Sequence, residues 1–414
     1  AMRDEREVET TRGRIFFTKT DVFEELLSGE EPLSVRRSGV EQSNTSVILG
    51  ERLVLKLYRR LQPGTNPELE IGRFLTEVAR FENTPPLAGA TEYLGESGEP
   101  TTLAILQGFV PNQGDGWSYV LDRLSLYLED RLISPWIPDE PVGVEAPEEA
   151  EEDEAVAFFL GLVRTLGIRT GELHKAFATP TDDPAFAAEP VSSEEFRGWV
   201  SSVRDEVEHT IDLLGRRRDG LDEELRAEVD QLLERRDEVL SRLAAVENME
   251  IRAVKTRYHG DYHLGQVLVS NNDFQIIDFE GEPARPLEER RKKHSPLRDV
   301  AGMLRSFNYA AYAAFRSLSM ERLDDREIME QWAQTWEKRT REAFLEGYTG
   351  GIAGCPSCPE NPEHMAALIE LFTLEKAFYE VRYELDNRPD WLDIPVRGIL
   401  GLLDGSGPEK ERLA

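Results

Sequence analysis

Short apolar runs bounded by turn residues fill the first sixty positions, the spacing of half-buried strands. Arg14-Ile15-Phe16-Phe17, Ser46-Val47-Ile48-Leu49 and Leu53-Val54-Leu55-Lys56-Leu57-Tyr58 read as strands, the last two joined into a hairpin through Gly50-Glu51-Arg52. From Glu68 to Arg80 the apolar positions shift to 71, 74, 75 and 78, a helical stripe, with Asn66 placed to cap it and Pro67 suited to its first position. Thr101 to Leu106 is a further strand. Beyond it the period is helical over Trp117 to Arg131, Ala155 to Ala178 and Ser193 to Leu214. Leu221, Leu225, Val229, Leu232, Val239, Leu243 and Val246 predict one long amphipathic helix, folded against Ser193–Leu214 as a helical hairpin. The period changes once more at Val267-Leu268-Val269 and Phe274-Gln275-Ile276-Ile277, two short strands around the polar turn Ser270-Asn271-Asn272-Asp273, and helices resume at Leu297. The pattern predicts an α+β chain, with a small β-rich lobe over residues 1–106 and a large, mainly helical lobe over 107–414 that holds one β-hairpin.

Composition narrows the partners. The 49 basic residues face 80 acidic ones, a net charge of −31, which repels nucleic-acid backbone and anionic membrane alike. An anionic substrate would need a local positive pocket or a metal. No apolar run approaches the roughly 18 residues of a bilayer span, and no basic patch followed by an apolar stretch marks a secretory signal. Cys355 and Cys358, the only two cysteines, cannot build a disulfide framework and fit a reducing cytoplasm. Cys355-Pro356-Ser357-Cys358, with His364 nearby, falls short of the four ligands of a structural zinc. Residues 139–154 hold nine acidic and no basic side chains among sixteen and read as a solvated insert.

The chemistry concentrates in His259-Gly260-Asp261-Tyr262-His263-Leu264-Gly265-Gln266, followed by Ile277-Asp278-Phe279-Glu280. Carboxylates on either side of a tight hairpin can converge on one point. Phosphoryl transfer needs that arrangement: one carboxylate takes the proton of the attacking hydroxyl, and another holds magnesium on the β- and γ-phosphates. The oxygen ligands of Gln266 and Asp278 suit a hard cation. Lys56 is a charge within an alternating strand, where an edge or a phosphate would account for it. The following helix offers Glu70 as its partner, with Glu68 and Glu77 as rivals. Ahead of the hairpin, Gly39-Val40-Glu41-Gln42-Ser43-Asn44-Thr45-Ser46 lacks a Walker motif, but its small polar residues could cover phosphates with N–H groups and hydroxyls.

These residues together resemble the aminoglycoside phosphotransferase-like branch of the protein-kinase fold, and within it the maltokinases, including the kinase portion of trehalose synthase–maltokinase fusions. The resemblance runs from Glu41-Gln42-Ser43-Asn44-Thr45-Ser46 to Arg388-Pro389-Asp390-Trp391. It takes in Leu55-Lys56-Leu57-Tyr58-Arg59-Arg60, Arg169-Thr170-Gly171-Glu172-Leu173-His174, the stretch from His259 to Val267, Asp278-Phe279-Glu280-Gly281-Glu282-Pro283 and Leu297-Arg298-Asp299-Val300-Ala301-Gly302-Met303. It implies a bilobal protein-kinase-like fold, ATP and Mg²⁺ as cofactors, and a sugar acceptor. The expected sugar is maltose, giving maltose 1-phosphate for α-glucan synthesis, with glucosamine or another sugar of the same kinase fold as the alternative and a non-catalytic pseudokinase behind both. A fused or associated trehalose synthase is a further implied partner.

Carried over residue by residue, the resemblance makes Asp261 the catalytic base and Gln266 and Asp278 magnesium ligands, with Glu280 supporting a second metal position. Lys56, paired with Glu70, becomes the phosphate-binding lysine beneath Ser43, Asn44 and Thr45. The connector Gln107-Gly108-Phe109-Val110 would hold adenine through backbone groups. His263 either touches the sugar or supports the loop, and Lys376, Glu380 and Tyr383, at helical spacing and followed by Arg388 and Trp391, supply the aromatic faces and polar groups that a hydroxyl-rich ring needs.

Overall fold

Seven strands in the N-terminal part of the chain pair into one antiparallel sheet, and the residues that chose those strands also decide what each face carries. The structure, a computed structural model, describes residues 1–28, 33–37, 44–96, 98–133, 154–319 and 322–404. These divide into two compact units, residues 1–115 with 172–188 and 256–296, and residues 116–171 with 189–255 and 297–414.

In the first unit the strands, numbered along the chain, are β1 (Glu7–Thr10), β2 (Gly13–Lys19), β3 (Val35–Arg37), β4 (Thr45–Leu49), β5 (Leu53–Leu57), β6 (Leu87–Gly95) and β7 (Pro100–Gly108), in the order β1-β2-β6-β7-β5-β4-β3. The expected hairpin is β4–β5, with Leu49 opposite Leu53. β6, which pairs with both β2 and β7, was not anticipated. Its Leu87-Ala88-Gly89-Ala90 opening follows two prolines and lacks the β-branched residues that mark a strand. Because side chains alternate across a strand, Leu53 and Leu55 face one side of β5, where they pack with Phe23 of the single-turn helix α1 (Phe23–Leu26), Ala88 and Leu106. Lys56 and Tyr58 face the other, where Tyr58 packs with Leu69, Leu87, Ala90 and Ile105. Leu69 belongs to α2 (Pro67–Arg73), which starts as expected: Asn66 accepts from the Glu68 and Leu69 amides and Pro67 takes the first turn. A π-helical turn over Phe74–Val78 continues it.

The hairpin β10 (Val267–Ser270) and β11 (Asp273–Ile276) also belongs to this unit, followed by one turn of helix, α8 (Leu287–Arg290). Asn271 and Asn272 have φ of 52° and 59°. Two consecutive left-handed residues make the turn whose twist matches the flanking strands, and asparagine tolerates that conformation best after glycine. Residues 172–188 and 256–296 thus group with the sheet, alongside residues 1–115. Side chains of both β5 and α2 bond to the segment around Arg257 and Asp278.

The second unit is helical: α3 (Gly116–Ile133), the first eighteen residues of α4 (Glu154–Phe177), α5 (Ser193–Arg217), α6 (Glu223–Glu234), α7 (Arg236–Glu247), α9 (Leu297–Ser319), α10 (Arg326–Ile352), α11 (Pro362–Asn387) and α12 (Asp393–Leu403). A two-residue ladder, β8 (Glu189–Pro190) with β9 (Val254–Lys255), completes it. The single long helix expected over 221–246 is two. Arg235 leaves helical geometry at φ −92° and ψ 12°, and its guanidinium is held by Glu238 at 2.8 Å and Asp404 at 2.5 Å. The apolar stripe hid the break because Leu232 and Val239 keep helical spacing across it. The helical hairpin with α5 stands.

Two helices of this unit approach at backbone distance. A Cβ placed on Gly347 of α10 would lie 2.0 Å from the Arg164 carbonyl oxygen of α4, and one on Gly167 of α4 would lie 2.1 Å from that of Phe344. Gly171 and Gly351, one turn further along each helix, are also constrained, with nearest backbone atoms at 2.6 Å from the added Cβ. Among the described residues no helix is long and apolar enough to cross a membrane. The acidic segment 139–154 lies, apart from Glu154, outside the described residues.

Candidate active site

Lys56 is the centre of the site in the first unit. β5 lies inside the sheet between β7 and β4, so the sheet edge does not account for a charge there. Its Nζ donates to Glu68 Oε2 at 2.6 Å and to Asp278 Oδ1 at 2.6 Å, and stands 2.9 Å from Glu280 Oε1. Tyr58, two residues on and therefore on the same face, donates its hydroxyl to the same Glu68 oxygen at 2.5 Å. Glu68 is 2% exposed.

Three carboxylates face one ammonium, and that count bears on how Lys56, Glu68 and Asp278 titrate. Burial alone would lower the Lys56 pKa, but the charges of Glu68, Asp278 and Glu280 outweigh it and raise it well above the ordinary value. Burial pushes the Glu68 carboxyl above its usual range; Lys56 opposes this, and the charges of Asp278 and Glu280 add to it. For Asp278 burial is overcome by Lys56, and a hydrogen bond from the Gln266 side chain helps to hold its carboxyl below the usual range. Asp278 also sits at φ +66°, a left-handed conformation that a non-glycine residue seldom adopts and that clusters at functional sites.

The partner of Lys56 is Glu68, and the expectation of Glu70 is corrected. The two residues are about 200° apart around α2. Glu68 faces β5, whereas Glu70 is held by Arg257 at 2.9 Å and by Arg291 at 2.7 Å. Glu77, the other rival, accepts from the Asp21 amide.

The loop carrying Asp261 is fixed from behind. His259, 1% exposed, sets its Nε2 2.9 Å from the Ile277 carbonyl oxygen, and the Asp261 amide points at its Nδ1 at 3.4 Å. A carbonyl can only accept and an amide can only donate, so the arrangement selects the neutral tautomer with its proton on Nε2. Rings of Tyr262 and Phe279 lie 5.2 and 4.8 Å from that of His259. Gly260, at φ +85°, makes the turn between His259 and Asp261. His263 caps the short 3₁₀ turn Leu264–Gln266, its Nδ1 accepting from the Gly265 amide at 3.0 Å.

A divalent cation fits this donor set. Oxygens of Glu68, Asp278 and Glu280 lie within 4.8 Å of one another, with the Lys56 ammonium against all three. Hard carboxylate oxygens joined by the Gln266 amide are what magnesium takes. Of the expected phosphate cover, Asn44 donates to Glu280 Oε1 at 2.7 Å and Thr45 opens β4, while Ser43 lies outside the described residues. In the connector, the Gly108 amide donates to the Pro86 carbonyl and the Phe109 amide to that of Arg52, both within the unit, and Gln107 lies in β7 opposite Val54.

The expected sugar residues lie in the second unit on α11 and just after it. Lys376 stands 5.1 Å from the Tyr379 ring, Tyr379 and Tyr383 stack at 6.4 Å, and the Arg388 guanidinium lies 5.5 Å from Tyr383 and 5.1 Å from Trp391. Glu380 is 9% exposed and bonded to Arg305 at 2.8 Å; Arg388 is forked onto the buried Glu384 at 2.7 and 2.9 Å. Sequence reasoning left out Tyr58, Arg257 and the part of Glu68. The alternation that put Lys56 on one face of β5 puts Tyr58 there too, so that signal was present.

The chain matches no family profile. It is 25% identical to a glucosamine kinase of Mycolicibacterium smegmatis over 378 residues, 91% of this chain and 80% of the relative. Against a glucosamine kinase of Streptacidiphilus jiangxiensis the identity is 24% over 384 residues, 92% of this chain and 76% of that one. Among solved structures, a glucosamine kinase crystal form superposes with a TM-score of 0.67 at 19% identity, covering 94% of this chain and 78% of that one. Glucosamine kinase in complex with glucosamine, ADP and inorganic phosphate superposes with a TM-score of 0.65 at 18% identity, covering 95% and 88%. The α+β, protein-kinase-like fold read from the sequence is therefore the fold of this chain.

Proposed function

We propose that this protein transfers the γ-phosphoryl group of ATP to a hydroxyl of a sugar. The observation that carries the proposal is the Lys56 ammonium held by Glu68 and Asp278 at 2.6 Å, in the same compact unit as the Asp261 loop. In this reading Lys56 binds phosphate oxygens while Glu68, itself bonded by Tyr58, keeps the lysine in place. Asp261 accepts the proton as the sugar oxygen bonds to the γ-phosphorus, the bridging P–O bond breaks, and ADP leaves with the electron pair. Asp278, Gln266 and Glu280 would hold Mg²⁺, which when bound supplies neutralising charge on the phosphates.

Two acceptors have their own support. Maltose, phosphorylated at its anomeric hydroxyl, is favoured by the motifs from Glu41 to Trp391 that resemble the maltokinases. Glucosamine is favoured by the relatives, which are glucosamine kinases. We keep Lys376, Glu380, Tyr383, Arg388 and Trp391 as sugar contacts, with Tyr383, 43% exposed, the one to probe. Replacing Arg388 would strip a buried carboxylate of its partner and confound the result.

The test is ADP release with ATP and magnesium across maltose, glucose and glucosamine, with the product identified by phosphorus NMR. An anomeric phosphate on the disaccharide supports maltose. A glucosamine phosphate with maltose untouched supports the second reading. If no sugar raises ADP release above the level without sugar, the kinase reading is wrong.

A further inference from the structure

Glu68 and Glu70 leave α2 on nearly opposite sides, and the second of them serves a site about which the proposed reaction has so far been silent. Glu70 accepts from Arg257 Nη1 at 2.9 Å and from Arg291 Nε and Nη2 at 2.7 and 3.2 Å. The two arginines belong to segments that are themselves joined. Thr256 and His294 exchange both backbone hydrogen bonds, at 3.1 and 2.9 Å, so one carboxylate bridges the two strands of that pair. Arg257 is 1% exposed and lies four residues before Asp261. Its guanidinium stands 5.3 Å from the Phe186 ring, which stacks on Phe74 at 4.0 Å in the turn that continues α2. Among the described residues its Nε and Nη2 make no hydrogen bond, which leaves Glu70 as the group that neutralises it. A buried guanidinium tolerates the loss of such a partner poorly.

We infer that Glu70 and Arg257 are positioning residues for phosphoryl transfer: they fasten the Asp261 segment to the same helix that holds Lys56 through Glu68, so that α2 sets base and phosphate-binding lysine in register. The inference rests on the kinase reading. One helix carrying both anchors removes a degree of freedom from the distance between the attacking hydroxyl and the γ-phosphate. Displacements of about 1 Å in such a distance can cost about a hundredfold in rate.

The experiment compares Glu70→Gln with Arg291→Gln, which breaks the half-buried arm of the same network and leaves Glu70 on Arg257. Steady-state kinetics and amide hydrogen exchange are measured on the full chain. Glu70→Gln should lower kcat at least about tenfold with the ATP KM within about twofold of wild type, because Glu68 still holds Lys56. Amides of Tyr258 to Asp261 should exchange faster while those of Leu53 to Leu57 keep their protection, and Arg291→Gln should resemble wild type in both respects. Unchanged kcat, a rise in ATP KM matching the loss, or faster exchange spread evenly over β5 and the Asp261 loop would each overturn the inference. If Glu70→Gln does not fold, Arg257→Lys keeps the charge but removes the guanidinium that bonds Glu70 and lies against the Phe186 ring, and must reproduce the same split between kcat and KM. Should wild type turn over ATP with none of the sugars, the kinase reading fails, whereas the exchange contrast still decides whether Glu70 fastens the loop.

Discussion

Lys56 and Asp261 make different demands on a test. On the proposed reading Asp261 acts only while the hydroxyl attacks, so Asp261→Asn should lose about 10²–10⁴-fold in kcat yet bind ATP as before, as checked by single-turnover kinetics beside nucleotide titration. Near-normal turnover would remove Asp261 from the role. Glu68 gives a pH prediction with a definite sign. Its folded pKa is raised, so the folded state holds a proton that the unfolded chain releases near pH 4.3. Stability is then greatest at and below that pH and declines as pH rises toward neutrality. Asp278, whose pKa is lowered, contributes in the opposite sense and only in acid: its stabilisation is present above the usual carboxylate range and fades as pH falls through its own lower value. Melting temperatures of wild type should therefore fall between about pH 5 and pH 7 more steeply than those of Glu68→Gln. Parallel curves would mean that Glu68 does not hold the extra proton. At this scale the sequence was informative where chemistry is local. Asp261, Gln266 and Asp278 stood out because a short hairpin joins them, whereas the choice between Glu68 and Glu70 turned on a rotation about α2 that only the packed structure defines.

Elements were legible where a single period runs unbroken. The β4–β5 and β10–β11 hairpins, the Asn66 cap and the start of α9 at Leu297 all follow from alternation, turn residues or capping chemistry. β6 and the break at Arg235 did not, since the first is built of small residues and the second keeps its apolar register. The glycine crossing of α4 and α10 was written in the sequence as two pairs spaced by four, Gly167 with Gly171 and Gly347 with Gly351, but glycine in a helix ordinarily signals weakness. Here the missing side chain is what lets the helices meet. Gly347→Ala should cost about 1–3 kcal/mol, because its methyl group would meet a carbonyl oxygen that cannot move independently. Gly350→Ala, next to open space on the same helix, should be neutral or stabilise by up to about 1 kcal/mol. Chemical denaturation of the two variants checks the pair, and equal effects would contradict the crossing.

For the whole molecule, 31 excess negative charges repel one another in the folded state. Exposed pairs such as Arg3–Glu24 or Arg252–Glu250 return little, each worth about 0–1 kcal/mol. The repulsion should dominate, so raising NaCl from about 20 mM to about 500 mM should raise the melting temperature by screening it. A fall would mean that the ion pairs carry more of the stability than their exposure suggests. The chain's order of synthesis adds a consequence of how the first unit is assembled. Lys56 and Glu68 leave the ribosome close together, but Asp278 follows 222 residues after Lys56. At about 5–20 residues per second that is an interval of roughly ten to forty seconds. Throughout it β5 and α2 exist without the carboxylates of Asp278 and Glu280, and for most of it without the loop of Asp261. A nascent chain halted before Ile277 would therefore expose a lysine and a glutamate bonded to each other and to Tyr58 without Asp278 or Glu280, and it should capture nucleotide no better than an unrelated polypeptide until those two carboxylates emerge.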